Sequence, residues 1–209
     1  MGACHHVDLF LVRHSITEWN QQKRYLGHTN QSVVKEELHT LDWLKNVLQK
    51  TRFDHVYTSD LLRCQETFDY LDLPTKMSVD HRLREMNFGD WEGKTYNELK
   101  DVKVYQNWLN NLEGTSVPNG ESFSIFKARI DSFFYDFFHH LNGLEVNQKF
   151  LIITHGGVIR YAVSTFIAST SMWDISIPHG QGLQLSFDKK EGEWLCSSFS
   201  EVLLQEKEK

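Results

Sequence analysis

Cysteine and proline are both scarce in this 209-residue chain, at three residues each. Cys4, Cys64 and Cys196 stand too far apart to read as a disulfide framework, and no Cys-x-x-Cys pair suggests zinc or dithiol chemistry. Basic charge is also short: 22 Lys and Arg face 28 Asp and Glu, a formal net charge of -6. A broad grip on nucleic acid needs a basic surface, so no nucleic-acid partner is expected. No apolar run approaches the roughly 18 residues of a membrane span. The opening MGACHHVDLFLV carries no basic leader, so the expectation is a cytoplasmic protein with no membrane partner. Repeats, low-complexity tracts and linker-like stretches are missing too. That predicts one domain over 1–209, with a flexible tail at 201–209.

What is present suits a globular core. Hydrophobic residues make up 40% of the chain and charged ones 24%, the balance of an ordinary folded domain. Fourteen Phe, seven Tyr and six Trp fill a core without implying a cofactor. The runs VDLFLV (7–12), FDHVYT (53–58) and FLIIT (150–154) read as strands, the first and last as buried ones. Apolar positions recur at helical spacing from Val33 to Leu48, and a helix follows from Leu61 to Leu71 with Ser59 or Asp60 as its cap. One short helix is expected near 95–112. Phe123, Phe126, Ile130, Phe133 and Phe137 form a single stripe in a long helix over 121–141, stopped by Asn142-Gly143. A helix over 158–168 and strands at 182–187 and 194–199 complete the pattern. Strands alternating with helices predict a three-layer α/β/α sandwich around a mostly parallel sheet.

Ligands in open α/β sheets gather at the carboxyl ends of strands. His14 follows VDLFLV with Arg13 beside it, and His155 follows FLIIT with two glycines after it. Arg63 stands just past the second strand, where its planar guanidinium and nearby main-chain donors of a helix start suit phosphate oxygens. Glu85 sits between apolar neighbours, a setting in which desolvation would hold a proton for acid catalysis. Taken singly, each histidine also fits a structural role, Arg63 a surface ion pair, and Glu85 a cap or ion-pair carboxylate.

The ordered segments LFLVRHSITEWN (9–20), YTSDLLRCQETF (57–68), LREMNFGDWEG (83–93), PNGESFSIFKARI (118–130) and THGGVIRY (154–161) together are more specific. They resemble the motifs of the histidine phosphatase superfamily, in the branch that includes cofactor-dependent phosphoglycerate mutases and small-molecule phosphatases. The resemblance runs over roughly residues 7 to 187 and implies a phosphoglycerate mutase-like fold. It implies His14 as nucleophile, Glu85 as proton donor and His155 as a second catalytic histidine. Arg13, Arg63, Asn20 and Thr17 take phosphate-binding roles by the same resemblance, with a phosphohistidine intermediate, no cofactor and no metal.

Two departures stand out. Ser15 follows the nucleophile where the family usually has glycine, and the loop after Gly27, HTNQSVVKEE, lacks the usual Pro-Leu-Thr followed by Gly. The expected partner is a small phosphorylated metabolite, its outer pocket drawn from Trp19, Tyr25, His28, Trp91, Tyr96, Trp108 and Glu121. Lys94, Lys100 and Lys103 are matched by Glu92, Glu98 and Asp101, so no unopposed basic lid is expected. That favours net hydrolysis over a phosphoglycerate mutase or a non-catalytic phosphate-binding protein, the two alternatives. A monomer or homodimer is expected.

Overall fold

Six strands form one sheet in the order β3-β2-β4-β1-β5-β6 in this computed structural model, which describes residues 5–141, 147–167 and 170–203. In chain order the elements are β1 (His6–Arg13), α1 (Glu18–Gln21), α2 (Asp42–Leu48), β2 (His55–Thr58), α3 (Leu62–Leu71) and β3 (Met77–Val79). They continue with α4 (Tyr96–Leu99), α5 (Lys103–Asn110), α6 (Phe123–His140), β4 (Gln148–Thr154), α7 (Gly156–Phe166), β5 (Gly182–Lys190) and β6 (Glu193–Leu203). The first four strands pair in parallel, β5 runs antiparallel to β1, and β6 runs antiparallel to β5.

The alternation of β1 explains the layers. Leu9 and Leu11 face a core shared with the phenylalanine stripe of α6 and with α7, while Phe10 and Val12 face a second core built on α2 and α3. Both faces of the sheet are therefore covered, which is the expected three-layer sandwich. The stripe on α6 is as expected: Phe123, Phe126, Ile130, Phe133, Phe134 and Phe137 are buried, and Ser122 caps the helix by accepting from the Ile125 amide at 3.3 Å.

Several boundaries differ from expectation, each for a local reason. The 33–48 helix is a 3-10 turn over Lys35–Leu41 followed by α2. His39 Nδ1 and Thr40 Oγ1 each donate at 2.7 Å to the carbonyl three residues back, which favours the tighter winding. Neither Ser59 nor Asp60 caps α3: Leu61 holds the cap position without a side-chain bond, and Asp60 pairs with Arg84. The 95–112 region is two helices, the first closed by a capping box between Thr95 and Glu98. α7 begins two residues early, at Gly156, and β5 and β6 are longer than expected. β6 reaches Leu203, inside the expected tail; the Asn142-Gly143 stop, Ala168 and 204–209 lie outside the described residues.

At the amino end of β1, His6 Nδ1 meets Asp188 Oδ1 at 2.7 Å. That bond raises the histidine pKa above its usual 6.5 and lowers that of Asp188. The histidine contribution to stability is thus fully present below its unfolded pKa and lost as pH rises through the folded one. Asp188→Asn is expected to lower the melting temperature more at about pH 5.5 than at about pH 8.5. An equal loss at both, read by circular dichroism, contradicts the linkage.

Candidate active site

The strand order β2-β4-β1 sets three adjacent strand ends side by side. His14 N donates to Thr154 O at 3.0 Å and Ser59 N donates to Ile153 O at 3.1 Å, so the chain just past β1, β4 and β2 emerges in one place. His14 and His155 come together there, with ring centroids 5.0 Å apart, and both are buried. Arg63 reaches the same spot from the first turn of α3.

The tautomer of His14 follows from its partner. Nδ1 lies 2.6 Å from the Ser15 carbonyl oxygen, which can only accept, so Nδ1 carries the proton and Nε2 presents its lone pair. Burial, reinforced by the positive charge of Arg63, by His179 and by Arg13, holds the His14 pKa well below 6.5. The same argument settles His155. Its Nδ1 accepts from Arg63 Nε at 3.3 Å, leaving Nε2 to donate to Ser59 Oγ at 3.0 Å. Burial, then Arg63, likewise lowers its pKa well below the ordinary value.

Arg63 is fully buried and is aimed by main chain. Its Nη2 donates to Gly27 O at 2.7 Å and its Nη1 to Thr29 O at 3.0 Å. That loop is in turn fixed by Glu92, which accepts from the amides of His28 and Thr29, both at 2.6 Å. A side chain at Gly27 would run into the Met86 carbonyl and the Glu92 carboxylate, so the close approach of the two loops requires glycine there. Arg13 is partly buried and held by Ile177 O at 2.8 Å, while its Nε is enclosed with no hydrogen-bond partner. Burial brings its pKa down to about 10. Among the described residues neither Arg13 nor Arg63 belongs to an ion pair.

Glu85 Oε2 accepts from the Gly157 amide at 2.9 Å, at the start of α7, and its Oε1 from the Met86 amide at 3.0 Å. A Cβ on Gly157 would overlap this carboxylate, which explains the second glycine after His155. Arg129 holds the segment carrying Glu85 by donating to the carbonyl oxygens of Arg82, Arg84 and Glu85 at 2.6–2.8 Å, and Glu121 fixes Arg129 at 2.7 Å. Thr17 and Asn20 lie in the loop after His14 but are bonded to each other: Asn20 Oδ1 accepts from Thr17 N and Oγ1 at 3.1 and 2.9 Å, capping α1. Of the expected helix-start donors near Arg63, the Leu62 amide is taken, donating to Asn30 Oδ1 at 2.8 Å.

A cavity of about 260 Å³ opens beside Glu85 and Gly157, walled by Tyr25, Phe88, Trp108 and Trp173, with Arg160 as the one cation lining it among the described residues. Of the expected outer residues, Tyr25 and Trp108 line it. Trp91 is core, Trp19 lies against Gly93, Tyr96 is exposed, and His28 and Glu121 face each other beyond this cavity. His179 was not foreseen. Its ring centroid lies 5.4 Å from that of His14, and its one sequence signal is a histidine set in Pro178-His179-Gly180 just before a strand. Among the described residues no group of three or more His, Cys, Asp or Glu could hold a metal ion.

At the parallel strand ends an unprotonated imidazole thus lies beside the buried Arg63 and the partly buried Arg13, a set of donors and positive charge that suits an anion. The sequence profile of the histidine phosphatase superfamily (branch 1) matches residues 9–199, and the chain belongs to that family and is a phosphatase. Among its relatives is the adenosylcobalamin/alpha-ribazole phosphatase of Escherichia coli K12, 27% identical over 188 residues, covering 87% of this chain and 91% of that protein. A Hydrogenobacter thermophilus protein provisionally named phosphoserine phosphatase 2 is 31% identical over 175 residues, 80% of this chain and 83% of its own. The crystal structure of the alpha-ribazole phosphatase from Shigella flexneri superposes with a TM-score of 0.79 at 25% identity, covering 96% of this chain and all of that one.

Because burial and the neighbouring cations suppress its protonation, His14 should be neutral in the Nδ1–H form at neutral pH and should titrate well below 6.5. Imidazole 15N resonances check this. A His14 titration centred at its ordinary value of 6.5 contradicts it.

Proposed function

We propose that this chain hydrolyses a small phosphomonoester in two displacements through His14. The observation that carries the reading is the pair Arg13 and Arg63, cations enclosed beside a free imidazole nitrogen without an ion-pair partner among the described residues. Such a site is complementary to an anion whose charge is spread over several oxygens. In the first step His14 Nε2 attacks phosphorus in line, the phosphorus–oxygen bond to the alcohol breaks, and Glu85 gives the leaving oxygen its proton. In the second, water attacks the phosphohistidine, Glu85 accepts the water proton, and phosphate departs with His14 restored. His155 acts mainly by holding Arg63, since its Nδ1 is already taken by that guanidinium. Asn20, its carbonyl committed to the α1 cap, has its amide group to offer to phosphate, while the Thr17 hydroxyl serves that cap.

The cavity beside Glu85 receives the alcohol. Its aromatic walls suit a largely apolar leaving group, and Arg160 alone offers little to a second phosphate. Arg82 and Arg84 add nothing there, being paired with Asp80 and Asp136 and with Asp60. This favours hydrolysis over phosphoglycerate isomerisation, which must retain a doubly phosphorylated intermediate. The two free cysteines, Cys64 and Cys196, fit a reducing compartment, and the proposed setting is the cytoplasm, with the enzyme a monomer or homodimer.

Rapid quench with para-nitrophenyl phosphate should trap an acid-labile phosphoryl group on His14, and His14→Ala should lose roughly three orders of magnitude in kcat. A turnover-competent enzyme with no label on His14 sinks the covalent route. In a panel of alpha-ribazole phosphate, phosphoserine and 3-phosphoglycerate, the first, with its aromatic alcohol, should release free phosphate fastest. Primer-dependent isomerisation of 3-phosphoglycerate exceeding phosphate release would favour the mutase. Gly157→Ala should cut kcat/KM by about 10-fold or more by displacing Glu85, with the melting temperature nearly unchanged. Full activity in that variant contradicts the role of Glu85.

A further inference from the structure

Three buried polar atoms around His14 make no hydrogen bond within the protein: Arg13 Nε, Ser15 Oγ and His179 Nε2. They come from three different places, namely the end of β1, the loop after it, and the segment leading into β5. Enclosed polar atoms left without partners are costly, and where several converge a ligand with matching atoms is the usual remedy. The segment carrying His179 is firmly located. Arg13 Nη1 donates to Ile177 O at 2.8 Å, and the Gly180 amide donates toward the Arg13 and His14 carbonyl oxygens at 3.1 and 3.2 Å. Arg13 N also donates to Gln181 O at 2.9 Å. This strap therefore crosses directly over the end of β1, and the imidazole it delivers lies 5.4 Å, ring to ring, from the nucleophile.

We propose that His179 is a further phosphate-binding residue of this site, whose Nε2–H donates to an oxygen of the phosphoryl group under attack. The proposal rests on the reading of His14 as the nucleophile and adds to it a third imidazole, held by the strap before β5. The groups facing His179 are cationic or neutral: Arg13 and Arg63 act on it through space, and His14 lies beside it. Burial, then Arg13 and Arg63, brings its pKa down to about 3, so in the free enzyme it is a neutral ring. A neutral imidazole still carries one N–H, and with Nε2 as the protonated nitrogen it donates to phosphate without bringing a third positive charge into the site. No proton is transferred in this role. The ring also shields the phosphoryl group on the side where the strap covers β1.

The test separates a hydrogen-bond donor from a filler of space. Inorganic phosphate and orthovanadate serve as probes, read as competitive inhibition of para-nitrophenyl phosphate hydrolysis. His179→Leu keeps bulk and removes the donor; it should weaken both inhibitors and lower kcat/KM by about 10- to 100-fold, the range for a hydrogen bond to a charged group. His179→Gln restores a donor and should recover a substantial part of that loss. Melting temperatures of the variants without ligand should stay close to that of the parent protein. If His179→Leu inhibits and turns over like the parent, or if Leu and Gln variants lose activity alike, the proposal is overturned. Should the Leu variant fail to fold, the parent protein decides: the His179 imidazole 15N signals should move to those of a hydrogen-bonded Nε2–H on adding orthovanadate, and an unchanged spectrum overturns the assignment. Failure of the underlying reading looks different, because the parent protein would then show no phosphoryl label on His14.

Discussion

Two guanidinium groups are enclosed at one end of this sheet beside imidazoles that cannot neutralise them, and much of the surrounding architecture serves to keep them there. Arg63 is buried without a carboxylate bonded to it; two loop carbonyls and a histidine nitrogen hold it instead. Carbonyl dipoles fix its direction while leaving its charge uncancelled. A cation in that state raises the cost of protonating any nearby base. Burial first, and then the same charges that would receive phosphate oxygens, keep His14 unprotonated.

The support reaches outward in layers that join distant parts of the sequence. Glu92 orders the loop whose carbonyls aim Arg63, and Glu121 orders the arginine that holds the Glu85 segment. Each of these acidic residues is buried or partly buried and bonded to backbone, so each ties a segment in place as well as pairing a charge. The glycines serve the same end, because Gly27 and Gly157 mark the points where two loops or a loop and a helix start come too close for a side chain. Precision in the site is thus a product of packing between loops that rest on the ends of the parallel strands.

Much of this was legible in the sequence. VDLFLV and FLIIT announce buried strands, and the polar residues immediately after them announce the site, because backbone periodicity and strand-end chemistry are local signals. The phenylalanine stripe of α6 was legible for the same reason. What escaped depends on contacts far apart in the chain. His179 sits in an aperiodic segment whose meaning comes from bonds to β1, and Phe88 and Trp173 join the expected Tyr25 and Trp108 in the cavity wall from separate parts of the chain. The 3-10 turn inside the 33–48 segment is not visible in apolar spacing, which does not reveal side chains that bond to carbonyls three residues back. Asn20 and Thr17 were placed in the right loop, yet their mutual capping bonds appear only in three dimensions.

The central claim is that phosphorus passes through His14 on its way to the acceptor, which makes the overall reaction two displacements. Stereochemistry at phosphorus reads the number of displacements directly. A phosphomonoester made chiral with oxygen isotopes, transferred by the enzyme to an added alcohol in place of water, should give a product that retains configuration, since two in-line inversions cancel. Inversion would mean a single direct displacement and would contradict the account.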